Sequence, residues 1–143
     1  MIRWFSPNAT FTTEYGIPDQ LLIGPVFFES FDNFPGSNWT WQINMGNSYG
    51  KPGGLDNAME VAQLVVDRVK GNLESFELGN EPDLMWAFEH RAKNFTLQEY
   101  VDQWNDYADA TSERVLKGNP YGLEEVRFFQ GMTTSNMDED WSL

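Results

Sequence analysis

The sequence predicts an α/β fold in which helices alternate with the strands of a parallel sheet. Three observations carry that expectation. Two long segments, from Asp56 to Gly71 and from Thr96 to Gly118, repeat apolar residues at three- and four-residue steps, the period of a one-sided helix. Three shorter segments, around Trp41, Phe76 and Phe128, read as strands. The two kinds alternate along the chain, as βαβ units do.

Each element has a local reason. Residues 1–20 are polar and turn-rich, and no regular structure is assigned to them. Gly24-Pro25 precedes Val26-Phe27-Phe28, and proline suits a first helical turn, so a short helix is expected from about Pro25 to Asn33. Pro35-Gly36-Ser37-Asn38 is loop chemistry. Trp39 to Met45 alternates large apolar and polar groups as a strand does, and ends at Gly46. In the next helix Ala58, Val61, Ala62, Val65, Val66 and Val69 form one stripe, with Asp56 as N-cap and Gly71 as C′ residue.

Leu73 to Gly79 is the second strand. Phe76 and Leu78 share one face, while Glu77, Gly79 and Glu81 share the other. Thr96-Leu97-Gln98-Glu99 matches a capping box. The helix it opens carries Leu97, Tyr100, Val101, Trp104, Tyr107, Ala108, Thr111 and Val115 on one side and stops near Gly118. Val126 to Met132 is the last strand.

Composition narrows the function. With 143 residues, 41% hydrophobic and 22% charged, the chain is one ordinary domain rather than a disordered one. Aromatics reach 15%, with 6 Trp and 11 Phe, so rings either fill the core or stack on flat ligands. Acidic residues number 22 against 9 basic ones, and the net charge of −13 repels nucleic acid and anionic membranes. Without cysteine there is no disulfide, thiolate zinc site or Cys nucleophile. No run approaches the roughly 18 apolar residues of a membrane span. Residues 1–16 do not read as a secretory leader, yet Asn8, Asn38 and Asn94 each open a glycosylation sequon. That pairing suggests a truncated chain.

The most informative stretch is Phe76-Glu77-Leu78-Gly79-Asn80-Glu81-Pro82-Asp83. It places Asn80 and Glu81 at the carboxyl end of a strand, where parallel α/β folds gather ligands and catalytic groups. A carboxyl group there can serve as a general acid. Read alone, Asn-Glu-Pro is also compatible with an ordinary surface turn.

Together with Ile23-Gly24-Pro25-Val26-Phe27-Phe28-Glu29-Ser30-Phe31, Phe34-Pro35-Gly36, Ile43-Asn44-Met45-Gly46, Tyr100-Val101-Asp102-Gln103-Trp104-Asn105 and Phe128-Phe129-Gln130-Gly131, this stretch resembles glycoside hydrolase family 79. That family contains fungal β-glucuronidases and the heparanases. The resemblance implies a fragment of a (β/α)8 barrel, from about the second helix to the fifth strand. Residues 1–143 would then be one partial catalytic domain with no second domain. Glu81 matches the acid/base of a retaining double displacement, and Asn80 the neighbour that binds the sugar 2-hydroxyl. Asn44 is a candidate for the sugar-binding rim, although it would equally cap a turn. Trp86 and Phe88 are candidates to line the sugar.

The resemblance further implies a glucuronide-containing carbohydrate as substrate, an extracellular full-length protein, and neither metal nor cofactor. Two features of the family are missing. Retaining hydrolysis needs a second carboxyl group about 5–5.5 Å from the first, and a full barrel takes about 250 residues. The nucleophile strand lies beyond these residues, so the isolated chain is expected to be inactive. The competing reading is a carbohydrate-binding module without catalysis.

Other groups weigh less. Glu77 points the same way as Glu81 but sits deeper, as a structural residue. His90, the single histidine, cannot build a triad or a multi-His metal site and reads as a solvated loop residue. Asp138-Glu139-Asp140 reads as a solvated tail, and Trp39, Trp41 and Trp104 as core.

Overall fold

The structure, a computed structural model, describes residues 24–46, 50, 52–87, 90–123 and 125–131. The turn-rich start, Asn8, Phe88, Met132 and the acidic run at 138–140 lie outside them. The described chain runs helix, strand, helix, strand, helix, strand.

Helix α1 covers Pro25–Glu29, with proline in its first turn, and tightens into a 3-10 turn over Ser30–Asn33. Strand β1 is Trp39–Ile43, two residues shorter than the alternation predicts. It stops early because Asn44 turns the chain. Helix α2 is Gly54–Val69. Asp56 is not its N-cap: that position is Gly53, in a left-handed conformation (φ 75°), and Asp56 instead pairs with Arg114 at 2.8 Å. Nor does Gly71 supply the left-handed residue at the other end. Lys70 does, at φ 54°, and a 3-10 turn over Lys70–Asn72 leads into the next strand.

Strand β2 is Leu73–Leu78. Helix α3, Leu97–Thr111, opens with the expected capping box: the Glu99 amide donates to Thr96 Oγ1, and the Glu99 carboxylate accepts from the Thr96 amide at 2.8 Å. It then widens into a π turn over Ser112–Leu116 before Gly118. Strand β3 is Arg127–Gln130. No helix among the described residues is long and apolar enough to cross a membrane.

The three strands are parallel, in the order β1-β2-β3, with β2 central. Their register aligns Trp41, Phe76 and Phe128 in one row, and Gln42, Glu77 and Phe129 in the next. The first row faces α2 and α3. Val65, Val66, Phe76, Leu78 and Tyr107 are fully buried between sheet and helices. At about 1.5–3 kcal/mol for each large apolar side chain, that layer holds the helices on the sheet. The aromatic α1 segment packs on the same side: Phe28 meets Trp41 at 5.8 Å and Phe31 meets Trp39 at 4.5 Å. The tryptophans are therefore packing groups, as their periodicity predicts. In α3 the stripe departs from expectation at one step. Val101 is 40% exposed, while Gln103 is 8% exposed and takes its place on the buried side. The second row lies on the opposite face, where Phe129 is 50% exposed.

The carboxyl ends of β2 and β3 are locked together. The Tyr100 hydroxyl donates to Leu78 O and accepts from the Gly131 amide, both at 2.9 Å. The Gly131 amide also reaches Leu78 O at 3.0 Å. Burial pushes the Tyr100 hydroxyl above its ordinary value of 10.0; the Gly131 amide opposes the shift, and the Glu77 carboxylate adds to it. Gly131 lies so close to Gly79 that a Cβ would stand 2.6 Å from the Gly79 carbonyl carbon and oxygen.

This lock has two measurable consequences. In denaturant melts, Gly131→Ala lowers stability by about 2 kcal/mol, because the added methyl meets backbone rather than a movable side chain. Tyr100→Phe costs about 1–2 kcal/mol near neutral pH. The tyrosine's contribution is complete below pH 10 and declines as pH rises toward the folded-state value, because the unfolded chain ionises first. Alkaline melts of the Phe variant should therefore fall less steeply than those of the parent.

Candidate functional site

A cleft of about 210 Å³ opens at the carboxyl ends of β1 and β2. Gln42, Ile43, Asn44 and Gly46 line it from the first strand and its loop. Gly79, Asn80, Glu81, Met85 and His90 line it from the second. The sequence-predicted trio Asn44, Asn80 and Glu81 is thus brought into one concavity.

The turn that carries Asn80 and Glu81 is tightly specified. Gly79 (φ 85°) and Glu81 (φ 42°) both adopt left-handed backbone, one on each side of Asn80. Glycine does so freely, whereas a residue with a Cβ is strained there by roughly 1–2 kcal/mol. The next three residues hold the strain at Glu81 in place. Pro82 and Asp83 are fully buried, and the Leu84 amide donates to Glu81 O at 2.9 Å. Such strain persists where surrounding structure over-determines it, and it concentrates at functional sites.

A chain of side-chain hydrogen bonds crosses the cleft wall. Gln42 Nε2 donates to Gly79 O at 3.0 Å and to Asn80 Oδ1 at 3.2 Å. Asn80 Nδ2 in turn faces Glu81 Oε2 at 3.4 Å. Gln42 therefore fixes which way the Asn80 amide points and turns its donor side toward the carboxylate. Asn44 does two things at once. Its Oδ1 accepts from the Gly46 amide at 2.8 Å, capping the turn after β1, while the side chain lines the cleft. Glu77 does not line the cleft; it sits half-buried one row deeper, opposite Gln42 and Phe129.

The far wall is clamped by Arg91. Its guanidinium donates to Met45 O at 2.6 Å and to Gly46 O. It also holds His90 O at 2.8 Å and Gln103 Oε1 at 2.8 Å, and lies 5.5 Å over the Phe95 ring. The loop after β1, the loop after β2 and α3 are thereby tied to one cation. This overturns the reading of His90 as a solvated loop residue. His90 is half-buried and lines the cleft, because the Arg91 clamp draws that loop down onto Gly46.

Two other residue sets fall outside the cleft. Trp86 is half-buried, with the Lys93 ammonium 6.0 Å from its ring centre. Asn38 and Asn94, the described sequon residues, are exposed. Among the described residues, no three His, Cys, Asp or Glu side chains gather as metal ligands.

Sequence reasoning misses Gln42, His90, Arg91 and Gln103. Two of them leave a trace. Gln42 shares its strand face with Asn44, and Gln103 interrupts an apolar helical stripe, which signals a buried polar partner. Arg91 leaves none, since most of its acceptors are backbone carbonyls.

Over 138 residues, 90% of its length, the chain is 30% identical to a β-glucuronidase of Aspergillus niger and covers 25% of that protein. Over 91 residues, 61% of its length, it is 31% identical to a β-glucuronidase of Neurospora crassa and covers 16% of that protein. The chain thus spans a quarter or less of the length of the curated relatives it matches. No family model matches it. What the chain is similar to, over most of its own length, is a portion of fungal β-glucuronidases.

Proposed function

We propose that this chain is part of the catalytic barrel of a retaining glycoside hydrolase of the β-glucuronidase type, family 79. The single observation that carries the reading is the position of Asn80 and Glu81. They cap the central strand of a parallel sheet at its carboxyl end, inside a cleft. That rim is where (β/α)8 enzymes carry their catalytic groups. The strand order supports the barrel. Three parallel strands in sequential order, with both crossover helices on one face, wind in one direction only, whereas a doubly wound sheet reverses.

In this reading Glu81 protonates the glycosidic oxygen as the bond breaks, then takes a proton from the water that releases the sugar. Asn80, aimed by Gln42, binds the sugar 2-hydroxyl, a contact that strengthens in the transition state. Asn44 supplies a further polar group at the rim. Double displacement also needs a nucleophilic carboxylate about 5–5.5 Å from the acid. Among the described residues Glu81 is the one carboxylate that lines the cleft, so this reading takes the nucleophile from outside the described residues. In this reading the described residues supply the acid and part of the sugar-binding wall, and another carboxylate completes the displacement. The substrate is a glucuronide-bearing glycan or glycoside, and the whole enzyme is secreted.

The test uses the longer protein that contains this segment. Glu81→Gln should lower kcat/KM on an alkyl glucuronide by about 10²–10⁴-fold. The loss should be much smaller on a 4-nitrophenyl glucuronide, whose leaving group departs without a proton. Equal losses on both substrates, or no loss, would remove Glu81 from the acid role. Glu81→Gly relieves the left-handed strain and should raise thermal stability by about 1 kcal/mol while lowering activity on the alkyl glucuronide at least as far as Glu81→Gln does. A destabilised glycine variant would mean that the carboxylate is a structural group.

A further inference from the structure

We infer that Gln42 is a specificity-determining positioning residue: it holds the Asn80 amide in one orientation through both protonation states of Glu81, and so favours sugars with a 2-hydroxyl over their 2-deoxy counterparts. The inference rests on the proposed function above and adds to it a residue of β1 that acts on the substrate through Asn80.

The orientation of both amides follows from one carbonyl. Gly79 O can only accept, so the Gln42 atom 3.0 Å from it is the Nε2 donor. The same nitrogen lies 3.2 Å from the Asn80 side chain, which must present its Oδ1 there. Asn80 Nδ2 is thereby turned the other way, to 3.4 Å from Glu81 Oε2. Gln42 is itself well anchored. It lies in β1 one residue before Ile43, whose carbonyl accepts from the Gly79 amide at 3.0 Å. Main chain and side chain of β1 thus grip the same turn residue, and Asn80 follows it directly.

Glu81 cannot hold that orientation by itself. In the proposed reaction its carboxyl group is protonated before the glycosidic bond breaks and ionised afterwards. An ionised carboxylate only accepts, and favours the Nδ2 side of Asn80. A protonated one also donates, and suits the Oδ1 side equally well. An Asn amide turned through half a circle keeps its shape while donor and acceptor change places. Left to Glu81, the amide would face the sugar differently in the two halves of the reaction. Gln42 does not titrate, and its donor is committed to Gly79 O in both halves. The bond to Gly79 O would also suit a purely structural residue. The bond to Asn80 Oδ1 is the one whose effect reaches the sugar.

The test uses the longer protein that contains this segment, and compares kcat/KM on 4-nitrophenyl β-D-glucuronide with kcat/KM on its 2-deoxy analogue. This leaving group needs no proton, so the ratio of the two values reports the 2-hydroxyl rather than the acid. Gln42→Leu should lower the ratio about 5-fold, the worth of one net hydrogen bond. A merely structural residue would lower both values together and leave the ratio alone. Each ratio is taken within one preparation, so a partly folded variant still gives it, and Gln42→Met serves if Gln42→Leu does not fold. Asn80→Ala should lower the ratio further, and adding Gln42→Leu to it should change nothing more. An unchanged ratio in Gln42→Leu, beside a lowered one in Asn80→Ala, overturns the inference and leaves the proposed function standing. A further fall in the double variant also overturns it, since Gln42 would then act on the sugar without Asn80. If Asn80→Ala leaves the ratio unchanged, the 2-hydroxyl role of Asn80 falls and the inference with it. If the parent protein hydrolyses neither substrate, the proposed function falls as well.

Discussion

Where the second and third strands end, the backbone of Gly131 presses against that of Gly79, and the Tyr100 hydroxyl bridges Leu78 O and the Gly131 amide. The candidate site depends on this junction. Asn80 and Glu81 hang from the last residue of β2, so their position is only as definite as the end of that strand. A strand end in water frays, because its outermost backbone groups lack partners. Here the outermost carbonyl of β2 has two donors, one from a helix and one from the neighbouring strand. The buried hydroxyl is held neutral, which is the state that can both donate and accept.

Arg91 plays the same part on the opposite wall by a different device. Desolvating a guanidinium is costly unless its donors are met. Carbonyls from two loops, together with the Gln103 side chain, meet them here. The clamp and the Tyr100 junction both draw on α3, through Gln103 and Tyr100. That helix is thus more than a cover for the sheet: its buried side carries the two polar groups that hold the cleft walls. Its capping box fixes where the first turn begins, and hence where Tyr100 falls along the strand end.

Neither device uses the side chain of Asn80 or Glu81. The groups that bear the structural hydrogen bonds are mostly main chain, while Asn80 and Glu81 are joined to the fold through a turn and one amide partner, Gln42. The left-handed backbone at Glu81 shows the cost. A turn relaxed for its own sake would place glycine there, as it does at Gly79. A carboxylate held in that conformation is consistent with selection for the group rather than for the turn.

Single residues mark the border between what is legible in the sequence and what is not. The apolar stripes, the strand alternation, the capping box and the location of Asn-Glu at the end of a strand are all local, carried by neighbours within one or two turns. They are readable from the sequence for that reason. Asp56 reads as the cap of α2 because a left-handed glycine, the true cap, does its work without a side chain. Val101 reads as buried because two registers of the stripe differ by a single amide at Gln103. The strand neighbours, the Gln42–Asn80 contact and the place of His90 in the cleft are decided only by the tertiary structure. Arg91 and Gly46 stand 45 residues apart, and the acceptor is a carbonyl that every residue carries. A backbone acceptor leaves no mark in composition, so only the fold can say which one an arginine meets.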